Sequence, residues 1–325
     1  MLSNFLSGCA SIAYGLYKGS KCSVCNGRVV YYRPYSGERL CPSCFKASIL
    51  EKTRRTISRY GLLKHGDRIA VAVSGGKDSL SLLYVLKELC EDHGSQLHAV
   101  TIDEGVKGYR DEAISIAERV TSELKVPHSI LSFKELYGIT IDEALASKDR
   151  KITSCTVCGI LRRRAMDMAA QRIDANVLAT AHNLDDFLQT FIINLLNGDL
   201  KRIRWLDPVL ESKGEYGIRR VKPFMEIYEE EIAFYAYLQN LPFQSFTCPY
   251  MGESIRSEIR SILNRLEAAH PGVKYNTLKA VIGITQSLVL EGEVKTKCEA
   301  CGYPSSNNIC SVCETLRTLK VNIQI

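Results

Sequence analysis

The chain lacks any apolar run near the ~20 residues that a membrane-spanning helix needs, and it has no internal fold repeat and no low-complexity tract. Phe5 to Tyr17 is mildly apolar, but Ser7, Gly8, Ser11 and Gly15 interrupt it. With no basic start and no compact apolar core, this segment does not read as a secretory leader. A large excess of either charge is also missing: 42 Lys and Arg against 36 Asp and Glu leave +6, too mild a surplus to prove a nucleic-acid partner. Glycine (22) and proline (9) stand at ordinary levels, and 46% of the 325 residues are hydrophobic. That balance excludes a chain disordered throughout, and the length suggests roughly two domains.

Cysteine is what the sequence has in plenty. Ten of the 13 fall in five CxxC pairs, Cys22/Cys25, Cys41/Cys44, Cys155/Cys158, Cys298/Cys301 and Cys310/Cys313, leaving Cys9, Cys90 and Cys248. Disulfide scaffolds are usually short and rarely use this spacing, so the pattern points to reduced, metal-binding thiols and a cytoplasmic protein. The basic residues also cluster, at Lys52-Arg54-Arg55-Arg59, Arg162-Arg163-Arg164, Lys201-Arg202-Arg204, Arg219-Arg220-Lys222 and Arg256-Arg260-Arg265. Each cluster is either a solvated helix face or a contact for a polyanion.

From Asp67 the pattern alternates. Ile69–Val73, Leu97–Ile102, His128–Leu131 and Val177–Thr180 read as buried strands, and segments 80–89, 111–124, 160–172 and 184–196 as helices. Such alternation predicts an α/β fold, a Rossmann-like parallel sheet covered on both faces. Segments 226–242 and 253–269 also read as helical. The expected division is an N-terminal extension with a four-cysteine module (1–48), the α/β domain (49–245), a helical segment carrying Cys248 (246–292) and a C-terminal four-cysteine module (293–325).

Ser74-Gly75-Gly76-Lys77-Asp78-Ser79 joins the first strand to its helix. Glycines let backbone approach a ligand, the helix start presents free N–H groups, and Lys77, Ser74 and Ser79 add donors: an anion cradle. Val71 and Asp78 stand where a Walker A loop needs Gly and Ser or Thr. SGGKDS instead resembles the PP-loop of the ATP pyrophosphatases, which release pyrophosphate and adenylate a carbonyl. Asp103 ends the second strand, and His182-Asn183-Leu184-Asp185-Asp186 follows the fourth. Adjacent carboxylates beside a triphosphate suit Mg²⁺, although an N-cap with first-turn acids would look the same.

Cys22-x2-Cys25-x15-Cys41-x2-Cys44 and Cys298-x2-Cys301-x8-Cys310-x2-Cys313 have the spacing of two closed, structural Zn²⁺ sites. Cys155 and Cys158 have no second CxxC partner. A redox pair, a persulfide carrier and a metal cluster compete for them, and Cys248, followed by Pro249, favours a cluster on three thiolates with one iron left open. A labile cluster and a persulfide relay remain alternatives. Cys90 ends a helix and reads as a small core residue.

Ser74–Ser79, Asp103-Glu104-Gly105 with Gly108-Tyr109-Arg110, Ser154-Cys155-Thr156-Val157-Cys158 running on to Arg164, His182–Asp186 and Cys248-Pro249-Tyr250 together resemble the cytosolic tRNA 2-thiolation proteins of the TtcA/TtuA superfamily, over roughly residues 20–316. They look closest to the branch that thiolates the wobble uridine. The resemblance implies that ATP adenylates the 2-carbonyl of a tRNA uridine and that sulfur then displaces AMP. It implies phosphate contacts from Ser74, Gly75, Gly76, Lys77, Asp78 and Ser79, and a place for Asp103 near the nucleoside. Arg162, His182, Asp185 and Asp186 would contact nucleotide or Mg²⁺. Cys155, Cys158 and Cys248 would hold a 4Fe-4S cluster, with Lys77, Asp78 and Asp185 also catalytic. A sulfur carrier (a ubiquitin-like thiocarboxylate, or sulfide) and a homodimer or a second subunit are the implied partners, with no membrane. One departure is Phe187-Leu188, where relatives often carry an acidic and a small residue. Thiolation of a T-loop uridine or an anticodon-loop cytidine is the nearest alternative, and a non-catalytic zinc-ribbon RNA-binding protein the alternative from another class.

Overall fold

The computed structural model describes residues 20–91, 93–146, 152–209, 218–244, 246–250, 255–289 and 296–321. The N-terminal extension and Cys9 lie outside them. A hairpin of β1 (Tyr31–Arg33) and β2 (Glu38–Leu40) leads into α1 (Pro42–Tyr60). Pro42 occupies the first turn, where its missing N–H costs nothing, and Gly61 at φ 58° ends the helix.

The central sheet has five strands: β3 (Arg68–Ala72), β4 (Gln96–Asp103), β5 (His128–Ser132), β6 (Val177–Ala179) and β7 (Arg219–Val221). All pairs are parallel and the order is β5-β4-β3-β6-β7, the doubly wound α/β architecture the alternation predicts. The chain leaves β3 toward one edge and returns beside it as β6, so the crevice lies at the carboxyl ends of these two strands. β7 is the strand the sequence reading does not find. Arg-Arg-Val has no apolar run; Arg219 instead pairs with Asp67 and Arg220 with the buried Asp167 on α6 (Ser154–Arg172).

The remaining helices are α2 (Lys77–Cys90), α3 (Tyr109–Glu123), α4 (Phe133–Tyr137), α5 (Ile141–Leu145), α7 (Leu184–Leu196), α8 (Leu200–Arg204), α9 (Glu229–Leu238), α10 (Arg256–Ala269), α11 (Val273–Ser287) and α12 (Ser311–Thr318). One core joins Cys22, Leu40, Cys41, Phe45 and Ile49 to β3, α2 and α9. A second joins Cys298, Cys310, Val312, Cys313 and Leu316 to α6 and the other face of the sheet. A third packs α7, α8, α10 and α11 together, and Phe187 and Leu188 belong to it. Cys90 is buried in the first core, as expected.

Candidate active site

The glycine loop leaves β3 with Gly75 at φ +82°, a conformation that side chains with a Cβ rarely adopt. A Cβ there would sit 2.5 Å from the Ala113 carbonyl on α3. The hydroxyls of Ser74 and Ser79 lie 3.2 Å apart, and Ser79 Oγ accepts from Ser74 N–H at 3.0 Å. Gly76 is the N-cap of α2, with extended backbone and no capping side chain. The sequence expects its anion cradle at this helix start, where N–H groups lack an intrahelical partner.

Lys77 Nζ lies 2.8 Å from Asp78 Oδ2 and 3.1 Å from Glu229 Oε1. Asp78 Oδ1 is buried without a hydrogen-bond partner among the described residues. Burial raises the Asp78 carboxyl above its usual range, against the pull of Lys77. Burial also pushes Asp186 up to about 6; the Asn183 N–H opposes this, Asp78 adds to it, Arg256 opposes and Glu229 adds. Mg²⁺ takes one or two carboxylates when phosphates and water complete its shell, and an acidic locus with an orphaned oxygen fits that donor set.

The two adjacent aspartates divide. Asp185 is buried, accepting from Lys274 Nζ at 2.5 Å and from Glu229 N–H at 2.9 Å. It ties α7 to the starts of α9 and α11, and both of its oxygens are engaged. Asp186 exchanges hydrogen bonds with Asn183 in a capping box, 3.0 and 3.2 Å long, and its Oδ1 lies 3.9 Å from Arg256. Helix capping and an open carboxylate therefore coexist at Asp186.

Asp103 ends β4 and accepts from Gly105 N–H at 2.8 Å. His182 follows β6 beside Thr180, 2.8 Å from its hydroxyl. Desolvation, then Lys222, Arg256, Arg163 and Arg162, hold its imidazole down to about 4. Lys222 follows β7; burial and the cations Arg220 and Arg163 lower it to about 8. Lys222 after β7, with Arg162, Arg163 and Arg256 acting on His182, thus puts positive charge around the ends of β6 and β7, and Arg256 also reaches Asp186.

The Sγ atoms of Cys22, Cys25, Cys41 and Cys44 lie within 4.8 Å of one another, and so do those of Cys298, Cys301, Cys310 and Cys313. A tetrahedral Zn²⁺ with bonds of ~2.3 Å needs sulfurs about 3.8 Å apart. The separations of 3.5 Å for Cys25–Cys41 and 3.7 Å for Cys301–Cys310 fit. In the C-terminal site the buried Arg164 of α6 adds a charge-assisted donor, 3.4 Å from Cys310 Sγ, and its guanidinium stacks on Tyr303.

Cys155 and Cys158 open α6, and Thr153 caps it by accepting from Thr156 N–H. Tyr250 O lies 3.7 Å from Cys155 Sγ and accepts from Ser154 Oγ at 3.4 Å, which brings the Cys248 segment to the same helix end. Burial pushes the Cys158 thiol up to about 11; Arg162 opposes, and Glu104, Cys248 and Cys155 add to the rise. These three thiols do not close to the spacing of the four-cysteine groups. One ion would draw them together, whereas a multi-iron cluster takes each thiolate on a different iron, so the donor set fits a cluster better than a single metal ion.

Residues 47–266 match the PP-loop domain family, and residues 21–46 match the N-terminal LIM domain of the 2-thiouridine synthetase TtuA. Cytoplasmic tRNA 2-thiolation protein 1 of Laccaria bicolor is 36% identical over 304 residues, 92% of this chain and 85% of the relative. The Dictyostelium discoideum protein of the same name is 37% identical over 306 residues, 93% and 84% of the two chains. The chain belongs to the cytoplasmic tRNA 2-thiolation protein 1 family. Among solved structures, the U34-tRNA thiolase NcsA from Methanococcus maripaludis, with its [4Fe-4S] cluster, superposes with a TM-score of 0.82 at 30% identity, covering 93% of this chain and 97% of that one.

In this tRNA 2-thiolation protein most basic clusters serve the fold. Lys52 pairs with the fully buried Glu231, Arg54 and Arg55 with Glu51, Arg59 with Glu226, Arg202 with Asp199 and Arg204 with Asp207. Arg162, Arg163, Lys222 and Arg256 are the cations that act on His182, and Arg162 and Arg256 also pair with Glu104 and Asp186. Sequence reasoning assigns no role to Glu104, Arg110, Glu229 or Gln244. Glu104 and Arg110 stand inside quoted motifs. Glu229 looks like an ordinary first-turn acid, and Gln244 carries no signal at all.

Proposed function

We propose that this chain is an ATP-dependent tRNA 2-thiouridine sulfurtransferase of the cytoplasm, acting on the wobble uridine. The observation that carries the reading is the run of contacts from the PP-loop carbonyl of Ser74 through Arg110, Glu104 and Arg162 to Cys158, with the Tyr250 carbonyl beside Cys155. In the reaction, the 2-oxygen of uracil attacks the α-phosphorus of ATP and pyrophosphate leaves. Sulfide then adds at C2 and AMP leaves with the former carbonyl oxygen. A urea-like carbonyl is a poor electrophile, and adenylation turns its oxygen into a leaving group.

Ser74 to Ser79 would bind the phosphates through backbone N–H groups, both hydroxyls and Lys77. Asp186 and Asp78 would share Mg²⁺, while Asp185 acts as a buttress. Arg162 and His182 would face the nucleotide, with Asp103 near the nucleoside. The positive strand ends suit a loop phosphate of tRNA, whose splayed bases need little unstacking. Zn²⁺ in both four-cysteine sites would be structural, since four thiolates leave no open position. A 4Fe-4S cluster on Cys155, Cys158 and Cys248 would present sulfur at an iron without a protein ligand. A carrier thiocarboxylate or free sulfide would supply that sulfur, and a second copy or a different subunit would complete the assembly.

Anaerobically reconstituted protein given tRNA, ATP, Mg²⁺ and sulfide is expected to form 2-thiouridine, read by nucleoside mass spectrometry. No product from protein with its cluster and tRNA verified intact would overturn the reading. The TtuA-type N-terminal match favours a second reading, a T-loop base, and mass analysis of ribonuclease fragments separates the two by position.

A further inference from the structure

Two tracks of contacts run from the PP-loop to the sulfur centre. In the first, Arg110 is buried and its guanidinium donates to the carbonyls of Ser74 at 3.0 Å and Ile102 at 2.7 Å, the ends of β3 and β4. Its Nε lies 2.7 Å from Glu104 Oε2 as an ion pair in which neither atom makes an aligned hydrogen bond. The other oxygen of Glu104 lies 2.5 Å from Arg162 Nε, and Arg162 donates to Cys158 Sγ at 3.1 Å. Glu104 is buried, with 3% of its surface exposed, and is the one carboxylate paired with either guanidinium among the described residues. In the second, Gln244 N–H donates to Gly75 O at 3.0 Å and its side-chain amide to Tyr109 O. Four residues on, the same segment delivers Cys248, and Tyr250 then closes on Ser154 and on Asp142 at 2.9 Å.

We propose that Glu104, clamped between Arg110 and Arg162, is a positioning residue that couples the PP-loop to the Cys155/Cys158/Cys248 centre, so that nucleotide binding is felt at Cys158. The physical reason is rigidity. Arg110 cannot move without breaking carbonyl contacts at Ser74, inside the loop that holds phosphate. Without that carboxylate the buried Arg110 would be an uncompensated charge, and the half-exposed Arg162 would lose the contact that holds it beside Cys158. Each guanidinium meets its own oxygen of the carboxylate, so Glu104 holds Arg110 on one side and Arg162 on the other. A shift of the loop on binding ATP therefore displaces Arg162 relative to Cys158. The Gln244 segment carries the same shift to Cys248.

The inference rests on the proposed thiolase reading, and its test separates the two. In the full-length, anaerobically reconstituted protein, Glu104→Gln keeps all three cysteines and is expected to hold wild-type iron and sulfide per chain. Adding α,β-methylene-ATP should shift the electron paramagnetic resonance spectrum of the reduced wild-type cluster and leave the Glu104→Gln spectrum unmoved. kcat should fall roughly 10–100-fold, as for a misplaced reacting group, with KM for ATP little changed. Glu104→Asp keeps the charge but shortens the reach, and should show a reduced shift even if the Gln variant does not fold. A spectrum that shifts equally in wild type and both variants, or in none, overturns the coupling. Wild-type protein that shows the shift yet makes no 2-thiouridine overturns the function and leaves the coupling standing.

Discussion

At the scale of single residues, two neighbouring glycines have opposite obligations. Gly75 has positive φ and faces backbone on α3, whereas Gly76 has φ −86° and its nearest neighbour is the Ser74 hydroxyl at 3.5 Å. Gly75→Ala is expected to lose ATP binding and several degrees of melting temperature. Gly76→Ala should fold like wild type, and thermal melts with binding isotherms compare the two. Lys222 gives a pH signature. Its folded value of about 8 lies below the ordinary 10.5, so the unfolded chain binds the proton more tightly. Stability is full above 10.5 and is lost as pH falls through 8. Without ligand, Lys222→Met should exceed wild type in stability at pH 7 by roughly 2–4 kcal/mol, the gap closing toward pH 10.5. Denaturant titrations along the pH series measure it. The same variant should bind AMP more weakly, since a cation kept at a cost to folding is one the anion site needs. Neither the distinction between the glycines nor the opposite fates of Asp185 and Asp186 is written in the motif, because each depends on which helix packs against it.

Elements carry more than one task here, and α6 carries most. Its first turns hold Cys155 and Cys158, its middle holds Arg162, and its buried side holds Arg164 and Asp167 against Cys310 and Tyr303. The C-terminal four-cysteine site is thus a brace for the helix that carries Cys155 and Cys158. Arg164→Met should remove a buried charge from beside the thiolates and lower the zinc content from about two ions per chain toward one, read by elemental analysis, with the N-terminal site still filled. Iron content should fall with it if the brace sets the helix position. The sequence reveals that α6 exists and that a CxxC opens it. It is silent on Arg164, because an Arg-Arg-Arg run looks like a solvated face until the C-terminal module is packed beneath it.

For the whole molecule, the two four-cysteine modules are parts of the two cores on opposite faces of one sheet, not appended beads. α1 runs without a break from Cys44 into the α/β core, and Arg33 of the hairpin pairs with Glu231 of α9 at 2.6 Å. Chelating the metal is therefore expected to lower a single cooperative melting transition, where detached modules would unfold as a separate early step. Calorimetry with and without chelator tells these apart. The sequence by itself determined the parallel α/β sheet, the PP-loop and both cysteine quartets. Their determinants are local: an apolar run, a turn that needs glycine, thiols three residues apart. Only the tertiary structure decided that Tyr250 brings the Cys248 segment to the start of α6, that most arginines pair within the chain, and that Glu104 meets both Arg110 and Arg162. The decisive contacts, Glu104 with Arg162, Ser154 with Tyr250 and Arg33 with Glu231, link residues tens to hundreds of positions apart, and a chain carries no record of such distances until its strands are ordered and its helices packed.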